Sequence, residues 1–279
     1  MASRLVLVTG ASSGIGASTA RRFGASGARI LLLARNEERL DEVANAIRKA
    51  GGGAVSYPID LADAGAIAEL SAKIEREAGT PDVLINNAGA GRWLPVAETT
   101  SEQALSMIEV PYLAAFNLTC AFLPKMIARH SGAIACVTSP ASYVAWPGAG
   151  AYAAARHALA GFTESLRADL KGTGISVTLV VLGLVESPYW EHNPGSRERA
   201  PVMNPLIMRP LTSDEAAEAI FSGVEKRKRV VVKPAIFRAL FLLNAIAPRL
   251  VANQLRRAMP KRPALKGEAG PGIPGGDFA

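Results

Sequence analysis

A glycine-rich turn between a short apolar run and a helical pattern constrains this chain more than any other feature. Leu5-Val6-Leu7-Val8 has the β-branched, apolar character of a buried strand. It leads directly into Thr9-Gly10-Ala11-Ser12-Ser13-Gly14-Ile15-Gly16, and a helical spacing follows through Ala20, Phe23 and Ala25. A second apolar run, Arg29 to Leu33, comes at the distance a parallel βαβ unit requires. Gly10 permits the tight reversal, and Gly14 and Gly16 let a pyrophosphate approach the backbone and the strand. A helix starting near Gly14 aims unpaired N–H groups and its positive dipole end at those phosphates. With Ser12, Ser13 and Ile15 between them, these glycines form the expected cofactor-binding turn.

The length, 279 residues, suits one large α/β domain with an appendage better than two domains. Apolar residues make up 49% and charged ones 20%, so a large core is available and global disorder is excluded. Helical patterns fit Glu37–Ala50, Asp63–Ala78, Ser101–Arg129, Tyr152–Lys171 and Ser213–Lys226. Strand-like runs fit Ala54–Tyr57, Val83–Ile85, Ala133–Thr138, Ile175–Val181 and Val230–Val232. Such alternation predicts a doubly wound, mainly parallel sheet with helices on both faces and ligands beyond the carboxyl ends of the strands. The stretch from Ser187 to Leu211, rich in Pro, Trp, Tyr and Met, is a candidate lid.

Cys120 and Cys136 fall in a helical and a strand pattern and are expected to be reduced, buried thiols in a cytoplasmic protein. His130, His157 and His192 have no metal-ligand spacing, so no metal is expected. The chain enters its first strand at once, and a secretory leader is not expected. The net charge of +7 is unevenly placed. From Glu225 to Lys266 there are twelve Lys or Arg against one acid, which leaves the rest acidic on balance. That segment holds no recognisable nucleic-acid module, so no nucleic-acid partner is expected.

A chemistry-bearing group follows the fifth strand run. Ser139 closes it, Tyr152 comes thirteen residues later, and Arg156 stands one helical turn beyond on the same face. A close cation favours the ionised form of a phenol, which makes Tyr152 a candidate general acid/base. The Ser139 hydroxyl can hydrogen-bond a substrate carbonyl or alcohol oxygen.

In this order and spacing, Thr9-Gly10-(x)3-Gly14-Ile15-Gly16, Asn86-Asn87-Ala88-Gly89, Ser139 and Tyr152 resemble the short-chain dehydrogenase/reductase family, over roughly residues 4 to 233. The resemblance implies a single Rossmann-type sheet and reversible hydride transfer between a nicotinamide and a carbonyl/alcohol pair. It implies Tyr152 as proton donor or base and Ser139 as the group that orients the reacting oxygen. Asn87, Ala88 and Gly89 would bound the adenine ribose, and Asp60 and Leu61 match the adenine contact. Gly183 to Ser187, with Val185 and Ser187 as ligands, matches the nicotinamide-holding loop, although Leu182 stands where a proline is usual.

Two further departures from that family bear on the chemistry. Arg156 replaces the usual lysine: it keeps the charge and the reach to the nicotinamide ribose but cannot pass a proton in a relay. Pro111 stands where an asparagine is usual in the long helix. A proline there donates no N–H, so it is expected to kink the helix and free the Met107 carbonyl to hold a relay water. At the end of the second strand, where NAD users carry an acid, are Ala34 and Arg35. A guanidinium there suits a 2′-phosphate and favours NADP(H) over NAD(H).

Tyr143, Trp146, Leu184, Tyr189 and Trp190, with Met203, Leu206 and Met208 from the lid, suggest a pocket for an apolar ketone, aldehyde or alcohol. The expected organisation is a catalytic domain over 1–234, an apolar and basic helical extension over 235–266 and a disordered tail over 267–279. Ala235 to Ala247 is very apolar but too short to span a bilayer. With its flanking cations, 235–262 either makes a peripheral membrane contact or packs on the domain or a second subunit. A homodimer or homotetramer through the long helices is expected. The competing reading is a catalytically impaired NADP(H)-binding sensor or scaffold, motivated by Arg156 and Pro111.

Overall fold

The computed structural model describes residues 3–193, 195–200 and 209–259. Its main sheet is built from β1 (Leu5–Thr9), β2 (Arg29–Ala34), β3 (Gly53–Pro58), β4 (Val83–Asn86), β5 (Gly132–Thr138), β6 (Ile175–Leu182) and β9 (Val230–Lys233). The strands lie in the order β3-β2-β1-β4-β5-β6-β9, and every pairing is parallel. β1, β4 and β5 are buried along their whole length, which is why they read as unbroken apolar runs rather than alternating ones. The order reverses between β1 and β4, and such a switch point leaves a crevice at the carboxyl ends of the strands.

On one face α1 (Gly14–Gly24) packs between α2 (Glu37–Lys49) and α9 (Ser213–Glu225). On the other lie α3 (Ala64–Glu77), α4 (Ser101–Ile108), α5 (Ala114–Ala128) and α6 (Gly150–Asp169). This is the doubly wound Rossmann-type architecture expected from the alternation. Small parts, β7 (Val185–Glu186), α7 (Tyr189–His192), α8 (Ser196–Arg199) and β8 (Leu211–Thr212), sit beyond the carboxyl ends.

Local chemistry sets the helix starts. The Asn36 side chain accepts from the Arg39 N–H at 2.8 Å and caps α2, and Asp63 caps α3 from Ala66 at 3.0 Å. Thr100 with Gln103, and Thr212 with Glu215, form reciprocal capping boxes on α4 and α9. Ser13 makes no such side-chain bond, so α1 presents its first N–H groups uncapped toward the crevice.

The single helix expected over Ser101–Arg129 is two helices joined by a π-helical turn, Glu109–Leu113. Pro111 lies at its centre and supplies no N–H, and the Ala114 N–H reaches back to the Glu109 carbonyl. The run 101–128 is long and apolar enough to cross a membrane by length and composition. Met107, Ala114, Ala115, Leu118, Phe122 and Met126, however, form a stripe buried in the core. Cys136 is buried as expected, but Cys120 is exposed. It shares the outward face of α5 with Phe116, an apolar face that is exposed among the described residues.

After β9 the chain forms α10 (Phe237–Ile246), breaks at Ala247-Pro248, and continues as α11 (Pro248–Ala258). Phe237, Val251 and Leu255 are buried in the main core, so this extension packs on the domain. The remainder of the expected extension and the expected tail, 260–279, lie outside the described residues.

Candidate active site

A cleft of about 920 Å³ opens at the carboxyl ends of the strands. Every residue assigned from sequence to catalysis or cofactor binding lines it: the turn residues Gly10, Ser12, Ser13, Gly14, Ile15 and Gly16; then Arg35, Asp60, Leu61, Asn87, Ala88 and Gly89; then Ser139, Tyr152, Arg156, Val185 and Ser187.

The turn is built on contacts that leave no room for a side chain. A Cβ on Gly16 would stand 2.1 Å from the Gly10 carbonyl oxygen, so only glycine lets α1 start this close to β1. Gly10 and Gly14 adopt φ of 65° and 51°, which L side chains resist. Thr9 ties the turn to β4: its hydroxyl accepts from the Asn87 and Ala88 N–H groups, both at 2.9 Å, and donates to the Ile85 carbonyl at 3.2 Å. The Asn87 amide donates to the Thr9 carbonyl at 3.0 Å. Across the cleft Ser187 approaches the turn closely enough that a Cβ on Gly14 would lie 3.1 Å from it.

At the end of β2, Arg35, Asn36 and Arg39 line one end of the cleft. Arg39, in the first turn of α2, is a cation that the sequence reading did not single out. Asp60 holds its own loop by accepting from the Ala62 N–H at 3.0 Å.

At the other end the backbone places Ser139 at the close of β5, where its hydroxyl accepts from the Ala141 N–H at 3.2 Å. Tyr152 and Arg156 stand one turn apart on α6 and are both buried. The Arg156 guanidinium carbon lies 4.8 Å from the centre of the Tyr152 ring. The guanidinium also abuts Gly89, where a Cβ would come within 2.9 Å of one of its nitrogens. Its Nε is buried and has no hydrogen-bond partner among the described residues. An under-bonded buried cation at this place suits a ligand that brings oxygen acceptors, such as ribose hydroxyls. Together with the uncapped α1 start and the glycine cradle, the residues fit a bound dinucleotide.

Trp93 covers the outer side of the Tyr152 ring at 5.8 Å and meets Trp146 at 6.3 Å. Leu184, Tyr189 and Trp190 line the same end, with Phe237 from α10. Trp93 and Phe237 escaped the sequence reading, since neither lies in a periodic stretch that points at the site. Tyr143 does not belong to the cleft, contrary to expectation. Its ring stacks on Phe241 of α10 at 4.5 Å, because the turn after Ser139 directs it toward the appendage. Met203, Leu206 and Met208 lie outside the described residues.

The described part of the candidate lid is tied to the loop after β4 and to β7. Tyr189 donates its hydroxyl to the Gly91 carbonyl at 2.6 Å, and the Trp93 N–H donates to the Ser196 hydroxyl at 3.2 Å. Arg199 pairs with Glu98 at 2.5 Å, and Arg197 with Glu186 at 2.8 Å. Burial pushes the Tyr189 phenol well above its ordinary range; the nearby Tyr152 adds to this, and Arg156 opposes it.

Comparison with known proteins agrees with this geometry. A profile of the short chain dehydrogenase family matches residues 4–197. The rat protein "Dehydrogenase/reductase SDR family member 7B" is 34% identical over 256 residues, covering 88% of this chain and 78% of that protein. A fatty acyl-CoA reductase from Acinetobacter baylyi is 35% identical over 248 residues, covering 88% of this chain and 80% of its own. A solved short-chain dehydrogenase from Sphingobium yanoikuyae in complex with NADPH superposes with a TM-score of 0.75 at 25% identity, covering 94% and 99% of the two chains.

Proposed function

This chain belongs to the short-chain dehydrogenase/reductase family of oxidoreductases, and from that premise we propose an NADP(H)-dependent enzyme acting on an apolar ketone, aldehyde or secondary alcohol. The observation that carries the reading is the convergence of Ser139, Tyr152 and Arg156 in one cleft with the glycine turn. A bound nicotinamide supplies or accepts the hydride. Ser139 hydrogen-bonds the substrate oxygen and fixes its position, and Tyr152 gives that oxygen a proton in reduction or takes one in oxidation. Arg156 keeps positive charge against the phenol ring and offers donors to the ribose.

Arg35 supports the choice of NADP(H), because a guanidinium at the end of β2 forms charge-assisted hydrogen bonds with a 2′-phosphate. Trp93, Trp146, Leu184, Trp190 and Phe237 support an apolar substrate, and Arg197 and Arg199 are engaged with carboxylates outside the cleft. The fatty acyl-CoA reductase among the relatives supports the same substrate class.

The aromatic group Tyr112, Phe116 and Phe162, with ring spacings of 5.5 to 6.3 Å, supports association of two copies through α5 and α6. Exposed Leu113 and Ile127 extend that face, and light scattering on the purified chain measures the state.

The second reading, a nucleotide-binding sensor with little turnover, is favoured by Pro111 in the π-turn and by Arg156 in place of lysine. One experiment separates the two. NADPH absorbance is followed with a panel of hydrophobic ketones and aldehydes on wild type and Tyr152→Phe. Turnover that falls about 100-fold or more in the variant, with cofactor binding retained, supports the enzyme. Tight NADPH binding without turnover on any member favours the sensor.

A further inference from the structure

We propose that the outer face of α10, with the cations of α11, docks on the surface of an anionic lipid membrane. The inner face of α10 is accounted for: Phe237 is buried, Phe241 stacks on Tyr143, and the Asn244 amide donates to the Tyr143 carbonyl at 3.1 Å. These positions recur at helical spacing, so the opposite side faces solvent. A surface helix ordinarily carries polar residues there. Here it carries Ile236, Leu242, Leu243 and Ile246, 45%, 64%, 42% and 74% exposed, with Leu250 beyond the break at 50%.

The charge around that face has one sign. From Lys226 to Met259 the chain holds nine Lys or Arg and no Asp or Glu. Arg238, Arg249, Arg256 and Arg257 are exposed, and none meets a carboxylate among the described residues. A second copy docked about a two-fold axis would bring these cations against themselves, which like-charge repulsion opposes. A nucleic acid would satisfy the cations but leave the leucines and isoleucines uncovered. Anionic headgroups over an acyl layer satisfy both. α10 is ten residues long, about 15 Å at 1.5 Å per residue, half the hydrocarbon thickness, so it lies in the interface and does not span it. Because Phe237 lines the cleft from the inner side of this helix, docking sets the cleft beside the lipid.

The test is independent of catalysis. Full-length protein is floated with vesicles of phosphatidylcholine plus phosphatidylglycerol, and with phosphatidylcholine alone, at low and at physiological salt. Wild type is expected to float with the anionic vesicles and to remain below with the neutral ones. Arg249→Glu with Arg257→Glu should weaken partitioning about 25-fold or more. Leu242→Glu with Ile246→Glu should abolish flotation. All four side chains are exposed, so melting temperature and NADPH binding should hold; if the apolar pair alters melting, the arginine pair decides. Wild type that stays below with anionic vesicles overturns the proposal, as do variants that float like wild type. An apolar-pair variant that still floats but changes from oligomer to monomer overturns it in favour of a second copy.

Discussion

The guanidinium of Arg156 lies over the ring of Tyr152, 4.8 Å from carbon to ring centre, with Gly89 on its other flank. Arginine fills this place with a planar fork, where a lysine ammonium would present a point charge. Arg156→Met should therefore lower kcat about 100-fold or more and weaken cofactor binding, since it removes both the charge and the donors. Arg156→Lys keeps the charge and should stay within about tenfold of wild type. Steady-state kinetics on the two variants distinguish these outcomes. Equal activity of Arg156→Met and wild type would remove the residue from the proposed machinery.

The preference for a 2′-phosphate is placed on Arg35. Ala34 precedes it, and Asn36 spends its side chain on capping α2, so at the close of β2 itself the Arg35 guanidinium is the group that offers an anion a charge-assisted bond. Ala34→Asp combined with Arg35→Ser should weaken NADPH binding about 10- to 100-fold and improve NADH binding, as charge-assisted bonds of about 1.5–3 kcal/mol are replaced by repulsion. Fluorescence titration with both nucleotides reads the change. A pair of unchanged affinities would place the selectivity elsewhere.

The strands could be read ahead of the structure because burial on both faces forces unbroken Val, Leu and Ile runs, as in Leu5–Val8 and Ile175–Val181. Ser139, Tyr152 and Arg156 could be grouped because strand end and helical turn are both short-range geometry. What failed depended on direction rather than position. Tyr143 and Trp146 are equally apolar and three residues apart, yet only Trp146 lines the cleft, since the turn between them sends the two side chains different ways. Cys120 was expected in the core because α5 is apolar on both its inner and outer sides, and hydrophobicity alone does not say which side is covered. The break at Pro111 was expected, but the π-helical form it takes depends on how α4 and α5 seat on the sheet.

Gly16 is expected to tolerate no side chain. Alanine in place of a helical glycine ordinarily gains up to about 1 kcal/mol. Here its Cβ would meet the Gly10 carbonyl oxygen at 2.1 Å and the Asn87 amide at 2.8 Å, and neither the backbone oxygen nor its tether can swing aside. The clash should win, at about 1–3 kcal/mol net, and move α1 off the turn. Gly16→Ala should lower the melting temperature by about 2–4 °C for each kcal/mol lost and weaken NADPH binding. Thermal melts with and without nucleotide measure both effects. A variant as stable as wild type, with unchanged affinity, would contradict the packing described for the turn.

Tyr189 joins the lid to the loop that carries Gly91, and a Cβ on Gly91 would lie 2.5 Å from the Tyr152 ring. Tyr189→Phe removes the bond at 2.6 Å and leaves the Gly91 carbonyl without its partner, a cost of about 1–3 kcal/mol if it stays buried. Because the bond closes the substrate end of the cleft, the loss should appear as a KM about tenfold higher, with NADPH affinity little changed. Burial raises the phenol above its unfolded value near 10, so folding binds a proton that the unfolded chain releases first. The stability it contributes is complete below pH 10 and is lost as pH rises beyond that toward the folded value. Burial raises Tyr57 and Tyr143 in the same direction, so the wild-type melting temperature should fall on the alkaline side of pH 10. Tyr189→Phe should start lower at neutral pH yet fall less steeply above pH 10. Parallel wild-type and variant curves would show that this phenol keeps no proton on folding, and an unchanged KM would show that the latch does not shape the substrate end.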